Sequence, residues 1–406
     1  MVIGGGIVGL ACALRLRRLG LRTTVIDPSA SPDGASYGNA GHIAIEQVEP
    51  LASWGTIRSA PRRLFAVGGA LDVRDFAAFA PWLVRFVRAA APTRFRAGRA
   101  ALRGLLDRAL PAWHELVHDI DRPDLLVTDG HVLLWESART AQRRRDAWMA
   151  TDVGNASLRD LSVAELDGFA GLLRRRPAGG IRFDGTGQVA DIAQTLQALR
   201  EAFDLADGSF ARARVSALEM EGDAAVAVLD DGRRMGADIV LVAAGVASGE
   251  LMGTLGLRAP LIAERGYHVQ WAQHHWPEGT PPVVFEDRSM IVTCFRDGLR
   301  AASFVEFARS HTPPDPRKWT ALGAHAAELG LPVLGEGSQW FGARPTLPDY
   351  LPAIGRSAGI PNLMYAFGHQ HLGLTLAPVT SQIVAALAGG REPPASIEAF
   401  DLQRFQ

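Results

Sequence analysis

The sequence predicts an α/β protein to which an antiparallel sheet has been added. Three observations carry this: a glycine-rich turn between a strand and a helix at the start, a return of strand–helix alternation near residues 180–243, and a middle stretch whose apolar residues alternate with period two. Val2-Ile3 leads into Gly4-Gly5-Gly6. The apolar periodicity from Ile7 to Leu19 reads as a helix stopped by Gly20, and Thr23 to Asp27 reads as a second strand, completing a βαβ unit.

Inside that unit Gly4, Gly6 and Gly9 fit G-x-G-x-x-G, and Asp27 lies 18 residues beyond Gly9. Gly4 allows the tight turn, Gly6 lets a pyrophosphate approach the backbone, and Gly9 lets helix and strand pack closely. The helix N-terminus beginning at Ile7 offers N–H donors to phosphate, and Asp27 can accept from ribose hydroxyls. This is a Rossmann-like frame for an unphosphorylated dinucleotide, and it does not separate NAD from FAD. Only three residues precede Gly4, where a strand usually has about five or six, so the expectation is a chain start a few residues earlier than the one given.

The remaining elements follow in order. Residues 51–117 read as a basic helical insertion, with Phe76, Phe79, Leu83, Phe86 and Val87 at helical spacing. Its arginines, among them Arg62, Arg63, Arg85, Arg88, Arg94, Arg96 and Arg99, read either as a solvated face or as a contact with anionic lipid. Residues 124–136 read as a hairpin about Asp129-Gly130, followed by a charged helix over 138–153. Strand-rich sequence at 180–189 precedes a helix at 191–202 and strands at 211–220, 224–229 and 239–243. The alternation across 260–307 predicts a separate antiparallel sheet carrying the substrate pocket. A helix near 319–329, a strand at 363–367 and a helix at 374–388 end the chain.

Composition narrows the function classes. A length of 406 residues predicts two lobes. A net charge of −1 offers no general attraction to nucleic acid. Cys12 and Cys294 are far apart and in no metal-binding spacing, which suits a reducing compartment and argues against metal chemistry. The N-terminus has no signal-peptide pattern and no continuous apolar run reaches about 18 residues, so a cytoplasmic protein not integral to a membrane is expected.

Past the second strand, Ser36-Tyr37-Gly38-Asn39-Ala40-Gly41-His42 supplies small residues that let a loop lie beside a planar ring. The C-terminal third contains Gly342-Ala343-Arg344-Pro345, Pro352-Ala353-Ile354-Gly355 and Gly368-His369-Gln370-His371-Leu372-Gly373-Leu374-Thr375. With the N-terminal fingerprint, this set resembles the amine-oxidising flavoprotein family that includes D-amino-acid oxidase, glycine oxidase and the small chain of D-amino-acid dehydrogenase. The resemblance covers nearly the whole chain and is closest to chains dehydrogenating D-hydroxyproline or D-proline. It implies an FAD-binding domain of residues 1–50, 185–250 and 340–406, and a discontinuous substrate-binding domain of residues 51–184 and 251–339.

By that resemblance Arg344 binds the substrate carboxylate, for which a guanidinium is a planar bidentate fork; the alternative is a surface or interdomain ion pair. Gly368, His369, Leu372, Gly373, Leu374 and Thr375 fold over the flavin with Asn39, Ala40, Gly41 and His42, while Ser36, Val215 and Gly245 complete the cofactor surface. Glu264-Arg265-Gly266-Tyr267-His268 resembles the family's basic-Gly-Tyr turn, so Tyr267 and His268 are candidates to touch substrate, with structural strand residues as the alternative. The implied reaction is hydride transfer from Cα of a small D-amino acid to flavin N5, giving an imine that hydrolyses or stays cyclic.

The Cys and His that tether flavin in some relatives are missing from the matching places, so non-covalent FAD is expected. Lys318, the only lysine, lies in the Pro-rich 314–319 segment and is a poor match for the oxygen-activating lysine of related oxidases. A dehydrogenase passing electrons to a quinone or another acceptor is therefore favoured over a glycine- or sarcosine-type oxidase, with a flavin subunit of a hetero-oligomer and contact with the inner face of a membrane as further expectations.

Overall fold

The structure is a computed structural model that describes residues 1–29 and 34–406. Its first sheet has six strands, in the order Ser209–Arg212, Thr24–Asp27, Val2–Ile3, Val240–Val242, Leu363–Phe367 and Ala353–Arg356. The first five run parallel and the last is antiparallel. The two-residue strand Val2–Ile3 sits at the centre, paired with Val25-Ile26 on one side and Leu241-Val242 on the other. A strand buried on both faces needs a continuous apolar run, which is what these segments supply.

Helices Ile7–Arg18, Ile192–Leu205 and Gly373–Ala388 cover one face of this sheet. A three-stranded antiparallel sheet, Val215–Glu221, Ala224–Leu229 and Arg234–Gly236, covers the other, packing Leu218, Ala225 and Ala227 on Ile3, Val240 and Val242. The single strand expected over 211–220 is thus two strands in two sheets. The break falls where Ala213 N–H bonds the Asp27 carbonyl while the Arg214 carbonyl accepts from Asp230 N–H.

The second large sheet has nine strands. Its path runs Ser338–Thr346, Ile262–Trp271, Gly298–Ala308, Met290–Phe295, Val283–Phe285, His131–Trp135, Gly179–Asp184 and Ser157–Asp160, and Leu71–Val73 joins Gly298–Ala308. It is mixed, not purely antiparallel: Val283–Phe285 runs parallel to His131–Trp135, as does Leu71–Val73 to Gly298–Ala308. Strand Ser338–Thr346 belongs here, so the sheet reaches past the boundary expected at residue 340.

The hairpin expected over 124–136 does not form. Gly130, at φ +75°, gives its N–H to the Thr186 carbonyl, and the chain passes on to another sheet without folding back. Leu126–Val127 pairs with Gly187–Val189 in a small sheet with His42–Ile43, whereas His131–Trp135 enters the nine-stranded sheet. The 51–117 stretch is helical over Phe76–Ala89 and Pro92–Asp119 but also contains the strand Leu71–Val73. Trp82 and Phe86 face inward onto Phe307 and Tyr350.

Residues Gln370–Ala388 have the length and hydropathy of a membrane span, yet 72% of that window is buried inside the protein. The helix is a core element wedged against Ile7–Arg18 and Pro92–Asp119. A very close backbone approach lies under the glycine turn, where a Cβ on Gly9 would overlap the Gly4 carbonyl oxygen. Gly9→Ala should therefore cost about 1–3 kcal/mol of stability by overpacking, seen as a lower urea midpoint at unchanged slope; an unchanged midpoint would show that the helix can shift away.

Candidate active site

The glycine turn gathers one end of the site. Gly4 takes φ +111°, and a Cβ there would meet the Ala243 carbonyl of the neighbouring strand. Gly6 caps helix Ile7–Arg18, whose first turn carries no acid, and Ser36 Oγ accepts the Ile7 N–H at 3.1 Å. Asp27 accepts from Gly5 N–H at 2.7 Å and Ser29 N–H at 2.8 Å. A carboxylate has about four acceptor positions, so capacity for ribose hydroxyls remains. Val215 follows the strand that places Arg212 opposite Asp27, and Gly245, at φ +57°, follows the strand beside Val2–Ile3. This bare, donor-rich cradle fits the pyrophosphate and ribose of FAD.

The two chain ends meet next to it. Ala44 N–H bonds Thr375 Oγ1 at 3.0 Å, and Trp113 Nε1 donates to the Leu374 carbonyl at 3.1 Å. Asn39 Oδ1 accepts Gly41 N–H, and Thr293 Oγ1 donates to the Ala40 carbonyl at 2.7 Å. Buried Arg300 donates to the carbonyls of Tyr37 and Asn39 and pairs with no carboxylate among the described residues; burial lowers its pKa to about 10, so it stays charged beneath the loop. Gly368 (φ +78°) turns the chain into Leu372 and into helix Gly373–Ala388, whose N-terminus has no side-chain cap. His369 points into the core, its Nε2 3.0 Å from Thr380 Oγ1, and burial holds its pKa at about 3. The imidazole is thus committed to the core and not to the place expected for it over the flavin.

Strand pairing sorts the substrate candidates. Glu264, Gly266 and His268 share one face of Ile262–Trp271 and stand opposite Arg344, Gly342 and Trp340. Arg344 Nη1 lies 3.3 Å from Glu264 Oε1 and 3.2 Å from the Phe304 carbonyl. Its guanidinium sits over Gly266, where any Cβ would displace it. Glu264 is buried and also accepts from Tyr350 Oη at 2.8 Å and Thr346 Oγ1 at 3.1 Å. Arg344 keeps 27% of its side chain accessible, the open end of a network otherwise sealed. His268 stacks on Trp340 with ring centroids 4.9 Å apart and sits 3.3 Å from the Gly38 carbonyl; burial, then Arg300, pushes its pKa to about 3.

Tyr267 is a correction. It projects from the opposite face, fully buried, with its hydroxyl on Glu306 and its ring among Phe304, Trp319 and Phe341. Burial raises its pKa to about 12, and its face of the strand is the one turned away from Arg344. Lys318 lies on that same far side, pairing with Glu306, Asp72 and Asp315.

Backbone strain collects around Arg344. Three of the six non-glycine residues at positive φ among the described residues are Phe304 (+71°), Tyr350 (+56°) and Gln370 (+50°). Phe304 supplies a carbonyl to Arg344, Tyr350 a hydroxyl to Glu264, and Gln370 a donor to the Tyr350 carbonyl. Strain persists only where surroundings impose it, and it concentrates at functional sites. His371 completes the group: its Nε2 is 2.6 Å from Gln47 Oε1, burial lowers its pKa to about 4, and its charged neighbours are Glu264 and Arg344 together with Glu46 and His42. Glu264, Trp340 and Arg300 were given no role by sequence motif.

Buried histidines make stability depend on pH. His131, His268 and His369 are held near 3 by burial, whereas an unfolded imidazole protonates near 6.5. Between these values the unfolded chain binds more protons, so stability should fall steadily as pH drops from about 6.5 towards 3. Urea midpoints at pH 7.5, 6 and 5 check this, and a flat profile would contradict it.

A family model described as DAO, FAD dependent oxidoreductase, matches residues 1–387. The chain is 31% identical over 418 residues to a D-amino-acid oxidase of Bradyrhizobium diazoefficiens, covering 100% of this chain and 98% of that one. It is 29% identical over 437 residues to a D-amino acid dehydrogenase of Cereibacter sphaeroides, covering 99% and 94%. Among solved structures, glycine oxidase from Geobacillus kaustophilus superposes with TM-score 0.74 at 19% identity over 100% of this chain and 98% of that one. L-proline dehydrogenase from P. horikoshii does so with TM-score 0.74 at 16% identity over 100% and 96%. With its glycine cradle, its joined chain ends and a family match that spans almost its whole length, the chain belongs to the DAO family of FAD-dependent oxidoreductases.

Proposed function

We propose that this protein dehydrogenates the carbon–nitrogen bond of a small D-amino acid, with Arg344 holding the substrate carboxylate. The observation that carries the reading is the Arg344 guanidinium, fixed through Nη1 by Glu264 and the Phe304 carbonyl over the bare backbone of Gly266, with 27% of its side chain accessible. Glu264 balances part of its charge, and the N–H groups left over suit a bidentate carboxylate. The names of the two relatives at 31% and 29% identity support the D-amino-acid class.

FAD held by the Gly4–Gly9 turn and Asp27 would supply the acceptor for the hydride leaving Cα. The chain's own part is orientation and exclusion of water. His268 and His371 are held neutral by burial and stand ready to accept or donate hydrogen bonds without adding charge. No side-chain base is required when the amine enters unprotonated. The Gly368–Thr375 segment, like that of chains acting on D-proline or D-hydroxyproline, supports a cyclic substrate.

The acceptor is read as a quinone or another carrier. Lys318 is tied up on the far side of the sheet from Arg344, which supports a carrier over oxygen as the acceptor. Exposed Trp54, Val67, Phe76 and Val84 lie in the same stretch as Arg62 and Arg88, a composition that favours a membrane surface as the place of electron delivery. The oxidase reading is the second one, favoured by the name of the relative at 31% identity. Rapid peroxide formation by substrate-reduced enzyme in air would select it.

Anaerobic bleaching of the flavin by matched D- and L-amino acids, including proline and 4-hydroxyproline, tests the reading: D-isomers should bleach and L-isomers should not. Arg344→Ala should lose roughly 2–5 kcal/mol of carboxylate binding, as for one member of a buried charge pair, seen as a rise in KM. Gly266→Ala should raise KM in the same direction by displacing the guanidinium while FAD content stays normal. A KM unchanged in both variants would assign the carboxylate to another residue.

A further inference from the structure

At the end of the Asn39–His42 loop lies a buried cluster to which the reaction above gives no step: His42, expected against the flavin, turns its ring to the Gly187 carbonyl and to Glu46. Ligand-type atoms of His42, Glu46 and His131 all lie within 4.8 Å of one another, though the residues come from two separate stretches of backbone. His42 Nε2 is 3.0 Å from Glu46 Oε1, and the two imidazole centroids are 4.3 Å apart. The His42 and Glu46 side chains keep only 8% and 4% of their surface, and His131 is buried.

Two features point to a ligand. The second Glu46 oxygen, Oε2, has no hydrogen-bond partner, and neither has the buried Oε1 of Gln188. Gln188 stands directly across the ladder from His42, so both orphan atoms belong to one neighbourhood, and both are acceptors. What they lack is positive charge or a donor. Second, the Nδ1 atoms are held by consecutive residues, His42 Nδ1 by the Gly187 carbonyl at 3.2 Å and His131 Nδ1 by Thr186 Oγ1 at 3.0 Å. Metal-ligating histidines are characteristically oriented through the other ring nitrogen in this way.

The other acidic cluster shows the contrast. Asp72, Glu306 and Asp315 are equally close, but Lys318 and Arg265 neutralise them. No lysine or arginine pairs with Glu46 among the described residues. Two imidazoles and one carboxylate, with an amide oxygen beside them, form a set suited to a divalent first-row ion such as Zn2+, whose ligands sit at about 2.0–2.2 Å. We propose that His42, Glu46 and His131, with Gln188 alongside, bind one divalent transition-metal ion that ties the 39–47 loop to the strand His131–Trp135. Its role is structural. It locks the loop that lies against the Gly373–Ala388 helix to the wall of the large sheet.

The test uses the FAD-loaded full chain, stripped with a chelator and titrated with Zn2+ against a chromophoric competitor. One tight equivalent per chain is expected. Glu46→Gln and His131→Asn should each weaken it at least about 100-fold, and Thr186→Val, which removes only the support of His131, by roughly 10–100-fold. Should the ligand variants fail to fold, Co2+ added to the wild type gives an independent readout through the visible bands of a protein-bound ion. Absence of saturable Zn2+ binding and of those bands overturns the proposal in favour of a His42–Glu46 ion pair. Unchanged Zn2+ affinity in folded Glu46→Gln and Thr186→Val overturns it as well, since the ion would then sit elsewhere.

Discussion

Helix Ile7–Arg18 and helix Gly373–Ala388 pack side by side on one sheet, and this contact makes a single site from stretches more than 350 residues apart. The first helix can lie close to the sheet only because Gly9 has no Cβ to strike the Gly4 carbonyl. The second is apolar enough to be buried along almost its whole length. Once they are together, the Ala44 to Thr375 hydrogen bond fixes the loop after the second strand against the start of the last helix. The FAD cradle depends on that arrangement, because its donors come from both ends of the chain.

The large sheet then supplies the wall facing the cradle. One face of Ile262–Trp271 and Ser338–Thr346 carries Glu264, Arg344, His268 and Trp340 around two glycines, Gly266 and Gly342. The other carries Arg265 and Tyr267 against helix Pro316–Leu329, with Glu306 and Lys318 satisfying each other's charge. A fully buried ion network costs desolvation and is kept only with good pairing, and here each charge has a partner. The result is a rigid sheet with a sealed polar core behind and one accessible guanidinium in front. The strained backbones of Phe304, Tyr350 and Gln370 are held by the same network and keep that guanidinium in place.

Much of this was legible in the sequence, for local reasons. The fingerprint, Asp27 and the flanking elements are set by short-range turn chemistry and by apolar runs, and the Arg344 and Gly368–Thr375 motifs are contiguous. What was not legible depends on pairing across distance. The turn at Gly130 looks like a hairpin until the Thr186 carbonyl takes its N–H. Tyr267 and His268 are neighbours in sequence, yet the period of two puts them on opposite faces, and only the partner strands show which face meets Arg344. Glu264 stood in the motif with nothing local to mark it as the arginine's partner. Arg300 and Trp340 carry no pattern at all, since their roles arise from loops that fold against them.

The central claim is that Arg344 meets a substrate carboxylate beside the cofactor. Its most direct test is a crystal structure of the FAD-loaded protein with a small unreactive carboxylate such as pyrrole-2-carboxylate. The account predicts two parallel N–H to oxygen contacts from Arg344 at about 2.7–2.9 Å, with Glu264 still behind the guanidinium. A carboxylate held by other residues, with Arg344 closed onto Glu264 or turned to solvent, would contradict it.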